Sequence, residues 1–166
     1  MLAALTDVFR TLNELKSEEI LYEYAITGAM AVLFYTEPAR TYDLNAFVFL
    51  PPQTSTLFSM APLYKDLRDR GYTFDAEHVM IHDTPVQFLP AYNSLSEEAV
   101  SQAILHEYEG EMVCVIRPEH LIALAYQTGG RHRLIHAEGL LEEGTVDMVL
   151  LEKIMQAYGI SRKSEG

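Results

Sequence analysis

The sequence predicts an α/β (α+β) fold: a mixed β-sheet flanked by helices and closed by a C-terminal helical cap. Short apolar strands alternate with helical periodicities from residue 21 to about 116. Beyond Pro118 the spacing turns helical and stays so to about residue 158. The chain of 166 residues, 49% hydrophobic and 22% charged, has the size and composition of one compact domain with a sizeable core. That domain spans 1–166, with 1–116 forming the sheet and its helices and 117–160 the C-terminal helices.

Each element has its own signal. Leu5, Val8, Phe9, Leu12 and Leu15 recur at helical spacing over 3–16. This opening stretch lacks a basic start and a cleavage site, so it reads as an amphipathic helix rather than a leader. "LYEYAIT" (21–27) reads as a strand, and "GAMAVLFY" (28–35) as a buried helix entered at Gly28. Pro38 breaks that helix, and "LNAFVFL" is the next strand, stopped by Pro51 and Pro52. A helix over 54–70 has Thr54 or Ser55 as its cap and Gly71 as its stop. "TFDAEHVMIH" and "TPVQFLP" read as two strands turning near Asp83. Ser96 caps a short helix over 96–104, and "LHEYEGEMVCVI" reads as a hairpin turning at Gly110. Helices follow at "PEHLIALAYQ", at 131–142 and at "VDMVLLEKIMQAYG", where Val149, Leu150, Ile154 and Tyr158 mark an apolar side.

Charge and cysteine usage narrow the function classes. With 12 basic against 24 acidic residues the net charge is −12, so nucleic acid is a poor main partner. No apolar run approaches the roughly 20 residues needed to span a bilayer. A single cysteine, Cys114, excludes an internal disulfide and fits a reducing cytoplasm.

Residues 40–50, "RTYDLNAFVFL", carry the most chemistry. Asp43 and Asn45 stand two apart at the start of a strand, so their side chains share one face. From the residues alone they fit either strand entry or a pocket-facing pair.

Four segments together resemble the nucleotidyltransferase superfamily, in particular the AbiEii-like domains of toxin–antitoxin and abortive-infection systems. "YAITGAMAVLFY" resembles its strand, small-residue turn and helix. "RTYDLNAFVFL" resembles its Arg-Thr…Asp-x-Asp strand. "TPVQFLP" resembles the strand carrying a third aspartate, and "VIRPEHLIALAYQTGGRHRLIHAEGLL" the region after it. The resemblance implies two Mg²⁺ ions held by three carboxylates against a nucleoside triphosphate, with backbone N–H groups of the turn cradling the phosphates.

The departures from that pattern fall on the chemistry and spare the scaffold. Gly28 matches the first turn residue, and Ala29 replaces the second Gly or Ser. Asp43 matches the first carboxylate. Asn45 stands where the second belongs and Gln87 where the third belongs. The expected lysine is replaced by Ala125 or Tyr126, and a later acidic residue by Leu134. An amide oxygen can ligate a metal but brings no negative charge. Asp43 is thus a weak metal site, and Mg²⁺ and nucleoside triphosphate are expected to bind weakly or not at all. Asp83, roughly 13 Å along an extended strand from Gln87, does not replace the missing acids; Glu37, on the preceding loop, is a freer candidate. The reading is a degenerate nucleotidyltransferase that binds nucleotide or regulates a protein partner or a second copy. An active Mg²⁺-dependent transferase and a purely structural oligomer are the alternatives.

The remaining candidates divide between chemistry and scaffold. Arg131, His132, Arg133 and His136 follow Gly129-Gly130 and form either a phosphate-facing patch or a solvated helix start. Arg131 and Arg133 are the cofactor-binding candidates there. His132 and His136 have i, i+4 spacing but lack a third ligand nearby, whereas His78 and His82 lie on a strand and at its end. Cys114 reads as a buried thiol. Tyr42, beside Asp43, is the tyrosine best placed to stack a base.

Overall fold

The computed structural model describes residues 2–36, 43–51, 59–143 and 145–162. Their order is α1 (Leu2–Ser17), β1 (Glu23–Thr27), α2 (Gly28–Val32), β2 (Leu44–Phe49), α3 (Ala61–Asp69), β3 (Thr73–Asp75), β4 (His78–Ile81), β5 (Thr84–Pro90), α4 (Ser94–Ser101), β6 (Ile104–Tyr108), β7 (Glu111–Val115), α5 (Pro118–Thr128), α6 (Arg131–Glu143) and α7 (Met148–Ala157). The seven strands form one mixed sheet in the order β3-β4-β5-β2-β1-β7-β6. β2 runs parallel to β5 and antiparallel to β1, and β1 runs parallel to β7.

Alternation along the central strands assigns the two faces. Tyr24, Ile26, Leu44, Ala46, Val48, Val86 and Phe88 are buried on one face. Helix α1 covers it with Val8, Phe9, Leu12 and Leu15, all fully buried. Full burial of such a side chain stabilises by about 1.5–3 kcal/mol, so this stripe anchors the helix. The Tyr24 hydroxyl donates to Asn13 Oδ1 on α1 at 2.7 Å, satisfying the polar end of a buried ring.

The opposite face carries Thr27, Asn45, Phe47 and Leu89 and meets the C-terminal helices. Helix α5 packs against α4, α6 and α7. Pro118 to Ala125 are all buried, as expected for the centre of a helical layer. Two ionisable residues lie inside it. Glu119 Oε2 accepts the Asp147 N–H at 3.2 Å, and His120 Nε2 lies 2.8 Å from Glu98 Oε2 on α4. The cap is therefore tied to α4 and to the start of α7 by polar contacts as well as by apolar packing.

Several boundaries differ from expectation. The 73–82 segment is a hairpin of its own, turning at Ala76-Glu77, rather than one strand. His82 and Asp83 both take positive φ and form the two-residue turn into β5. Helix α3 begins at Ala61, whose N–H donates to Ser59 Oγ; the proposed caps Thr54 and Ser55 lie outside the described residues. Helix α2 is only five residues long. Asn93, not Ser96, caps α4: its side chain accepts the Ser96 N–H, and Ser96 Oγ accepts the Asn93 N–H in return. On α7, Leu151, Ile154 and Met155 are buried while Val149 is 75% exposed, so the helix is rotated from the expected face. The run Met148-Val-Leu-Leu is apolar all round, and the Asp147 cap with its Glu119 contact determines which side turns inward. No helix among the described residues is long and apolar enough to cross a membrane.

Candidate functional site

Strand register assembles the site. Asn45 on β2 lies opposite Thr27 on β1 and opposite Gln87 on β5, a row across three central strands. Asp43 precedes Asn45 by two residues and shares its face. Thr27, Asn45 and Gln87, far apart in sequence, are thus brought to one region of the sheet, with Asp43 next to them. Gln87 stands in this row, though the adjoining cleft is lined by Asn45 and not by Gln87 or Asp43.

Gly28 is held where only glycine fits easily. Its φ is +68°, and an added Cβ would stand 3.0 Å from Asn45 Nδ2. The Asn45 amide therefore lies directly over the turn between β1 and α2. Its oxygen is buried and accepts no hydrogen bond. A buried acceptor left unpaired costs on the order of 1–3 kcal/mol, a cost that a scaffold residue would be expected to avoid.

A residue set aside in the sequence joins this face. His78 on β4 lies one step beyond the Val79–Val86 pair, and its Nε2 comes 3.5 Å from Asp43 Oδ2. That nitrogen is buried, and the approach is an ion-pair distance that closes no hydrogen bond. The β3–β4 turn, unrecognised in the sequence, is what aims His78 here. His82 goes to the other side, 3.1 Å from Thr11 Oγ1 on α1. The donors along this face are one carboxylate, two amides and one imidazole. No group of three or more His, Cys, Asp or Glu side chains among the described residues is arranged to hold a metal ion. Glu37 and Tyr42 lie outside the described residues.

Beside the row a cleft of about 250 Å³ opens between β2 and the α5–α6 pair. Phe47, Leu121, Leu124 and Leu140 form much of its wall, and Ala125, one of the two residues at which the resemblance expects a lysine, lines it while Tyr126 does not. Its polar groups are those of Thr27, Asn45, Tyr92, Thr128, Arg133 and His136. Burial lowers the His136 pKa from its ordinary 6.5, with a smaller push from His132, so its imidazole is neutral at neutral pH. The patch after Gly129-Gly130 thus splits. Arg133 and His136 face the cleft, whereas Arg131 is exposed and does not line it. Ala29 also lies away from this cleft, on a smaller hollow with Leu33 and Ile135. Cys114 is buried in β7, which pushes its thiol pKa up to about 11.

The architecture has solved counterparts. An antigenic nucleotidyltransferase-like protein from Paracoccidioides brasiliensis superposes with a TM-score of 0.59 at 14% identity, covering 94% of this chain and 88% of the other. The fold is nucleotidyltransferase-like. ANT(2")-Ia in complex with adenylyl-2"-tobramycin matches at a TM-score of 0.53 and 13% identity, over 92% of this chain and 95% of that one. The solution structure of the antibiotic-resistance factor ANT(2'')-Ia gives 0.53 at 14% identity, over 95% and 90%. No family model matches the sequence, and no curated protein matches it.

Proposed function

We propose that this chain is an AbiEii-like nucleotidyltransferase-fold protein whose metal-dependent nucleotidyl transfer is weak or lost. It serves as a cytoplasmic nucleotide-binding or regulatory module of the toxin–antitoxin type, acting with a protein partner or a second copy of itself.

One observation carries the reading: Asn45 and Gln87 pair across β2 and β5, and Asp43, two residues before Asn45 and 3.5 Å from His78, is the one carboxylate named beside them. Two Mg²⁺ ions bring four positive charges, and hard divalent cations need anionic oxygens to leave water. Asp43 supplies one negative charge; Asn45 and Gln87 supply none. The residues therefore do not fit a pair of catalytic Mg²⁺ ions. The Asn45 amide also sits over Gly28, at the turn where the resemblance puts the phosphates. With only five residues, α2 adds little dipole to that position.

Restoring charge tests the proposal. In calorimetric titrations with Mg²⁺ and ATP, the wild-type chain is expected to give little metal-dependent heat. The Asn45→Asp/Gln87→Asp double variant is expected to gain Mg²⁺ affinity by roughly tenfold or more, because two anionic ligands return to one row. Micromolar Mg·ATP binding by the wild type, lost in Asp43→Asn and followed by label transfer to a protein or RNA, would overturn the proposal in favour of an active transferase.

A further inference from the structure

Among the described residues, two groups of the cleft beside the row show no partner. Asn45 Oδ1 is buried and accepts no hydrogen bond. Arg133 joins none of the arginine ion pairs among the described residues, although acids outnumber bases 24 to 12 in the chain. Its guanidinium lies over Gly130, where an added Cβ would come within 3.5 Å of Nη1. Among the described residues the lining contains no carboxylate, and with His136 neutral Arg133 is its one cation.

We infer that this cleft binds a small aryl or alkyl acid without metal. Its single anionic head meets Arg133, its apolar body lies among Phe47, Leu121 and Leu140, and an O–H or N–H donor satisfies Asn45. The inference rests on the proposed loss of metal-dependent transfer and adds the chemical class of what the site takes. Size and charge select the class. About 250 Å³ is below the ~300–1,000 Å³ of pockets for drug-sized ligands. One guanidinium balances one negative charge, and its planar fork suits a carboxylate bidentately. A triphosphate carries several charges and needs the divalent ions that this donor set does not favour.

The test titrates the full chain, in EDTA, with 4-hydroxyphenylacetate, its methyl ester, phenylacetate and AMP, followed by amide chemical shifts. The hydroxylated acid is expected to saturate the cleft residues and to bind about tenfold more tightly than its ester, which has lost the charge. Arg133→Gln, an exposed substitution, should remove that difference. Asn45→Leu should abolish the preference for 4-hydroxyphenylacetate over phenylacetate. Acid and ester binding equally to the wild type, a comparison that needs no variant, would overturn the inference, as would the absence of saturable shifts. AMP outcompeting both acids would overturn the ligand class and leave the loss of metal-dependent transfer standing. Mg·ATP binding with label transfer, measured separately, would remove both.

Discussion

Gly28 and Asn45 show how closely single residues are coupled at the site. Gly28 follows the extended Thr27 and takes a φ of +68°, which costs an L-residue roughly 1–2 kcal/mol. Its missing Cβ also leaves room for the Asn45 amide, 3.0 Å from where that carbon would stand. Gly28→Ala should therefore lower stability by roughly 2 kcal/mol or more in urea unfolding. Adding Asn45→Ala should return the part due to the clash and leave the φ cost, so the double variant should lose less than the sum of the single changes. Strict additivity would mean that the two side chains do not meet. The sequence marks Gly28 as a turn glycine and Asn45 as a strand residue. What joins them is the β1–β2 register, which depends on how the chain folds back between residues 27 and 45. The sequence sets His78 on a strand without joining it to Asp43 for a similar reason: its direction is fixed by a turn at Ala76-Glu77 that carries no glycine, proline or asparagine.

Elements were most legible where one face is clearly apolar. Helix α1, strands β1, β2 and β5 and the β6–β7 hairpin follow from alternation or helical spacing, whereas β3 and β4 read as a single strand. Boundaries were less legible where two capping signals compete, as with Asn93 and Ser96, or where an apolar run has no distinct face, as at the start of α7. Such positions are decided by tertiary contacts, and two of these can be measured. Asn93→Ala should cost about 1 kcal/mol, because it removes the side-chain acceptor of the Ser96 N–H while the backbone N–H at 93 still donates to Ser96 Oγ. Glu119→Ala removes the buried acceptor of the Asp147 N–H and should cost roughly 1–3 kcal/mol. Hydrogen exchange separates the two. The first change should speed exchange at the start of α4, and the second at the start of α7. Uniform acceleration through both helices would show that the caps act only through global stability.

Across the whole molecule, acidification should destabilise the fold in two steps, the first set by histidines. Burial lowers the pKa of His106 from 6.5, and burial together with His132 lowers that of His136. His106 Nε2 lies 3.1 Å from the Tyr35 hydroxyl in an aromatic cluster with Phe34, surroundings that favour a neutral ring. A histidine whose folded pKa is depressed binds more protons when unfolded, so stability rises with pH wherever the two states differ in protonation. The contribution is complete above the unfolded value of 6.5 and declines as pH falls through it, levelling off below the folded pKa. Unfolding free energy should accordingly be flat in its histidine component above about pH 7.5 and should fall between about pH 7 and the folded pKa values, before carboxylate protonation sets in near pH 4. The net charge of −12 acts separately: its self-repulsion eases as the chain takes up protons and as salt is added, so the experiment is best run at fixed, moderate ionic strength. In urea titrations across this range, His106→Gln should remove part of the slope near neutrality, and His106→Gln/His136→Gln should remove more, with the slopes of both variants rejoining that of the wild type below the folded pKa values. A wild-type slope of the opposite sign near pH 6.5 would show that protonated histidines stabilise the folded state, contrary to the burial of these two rings.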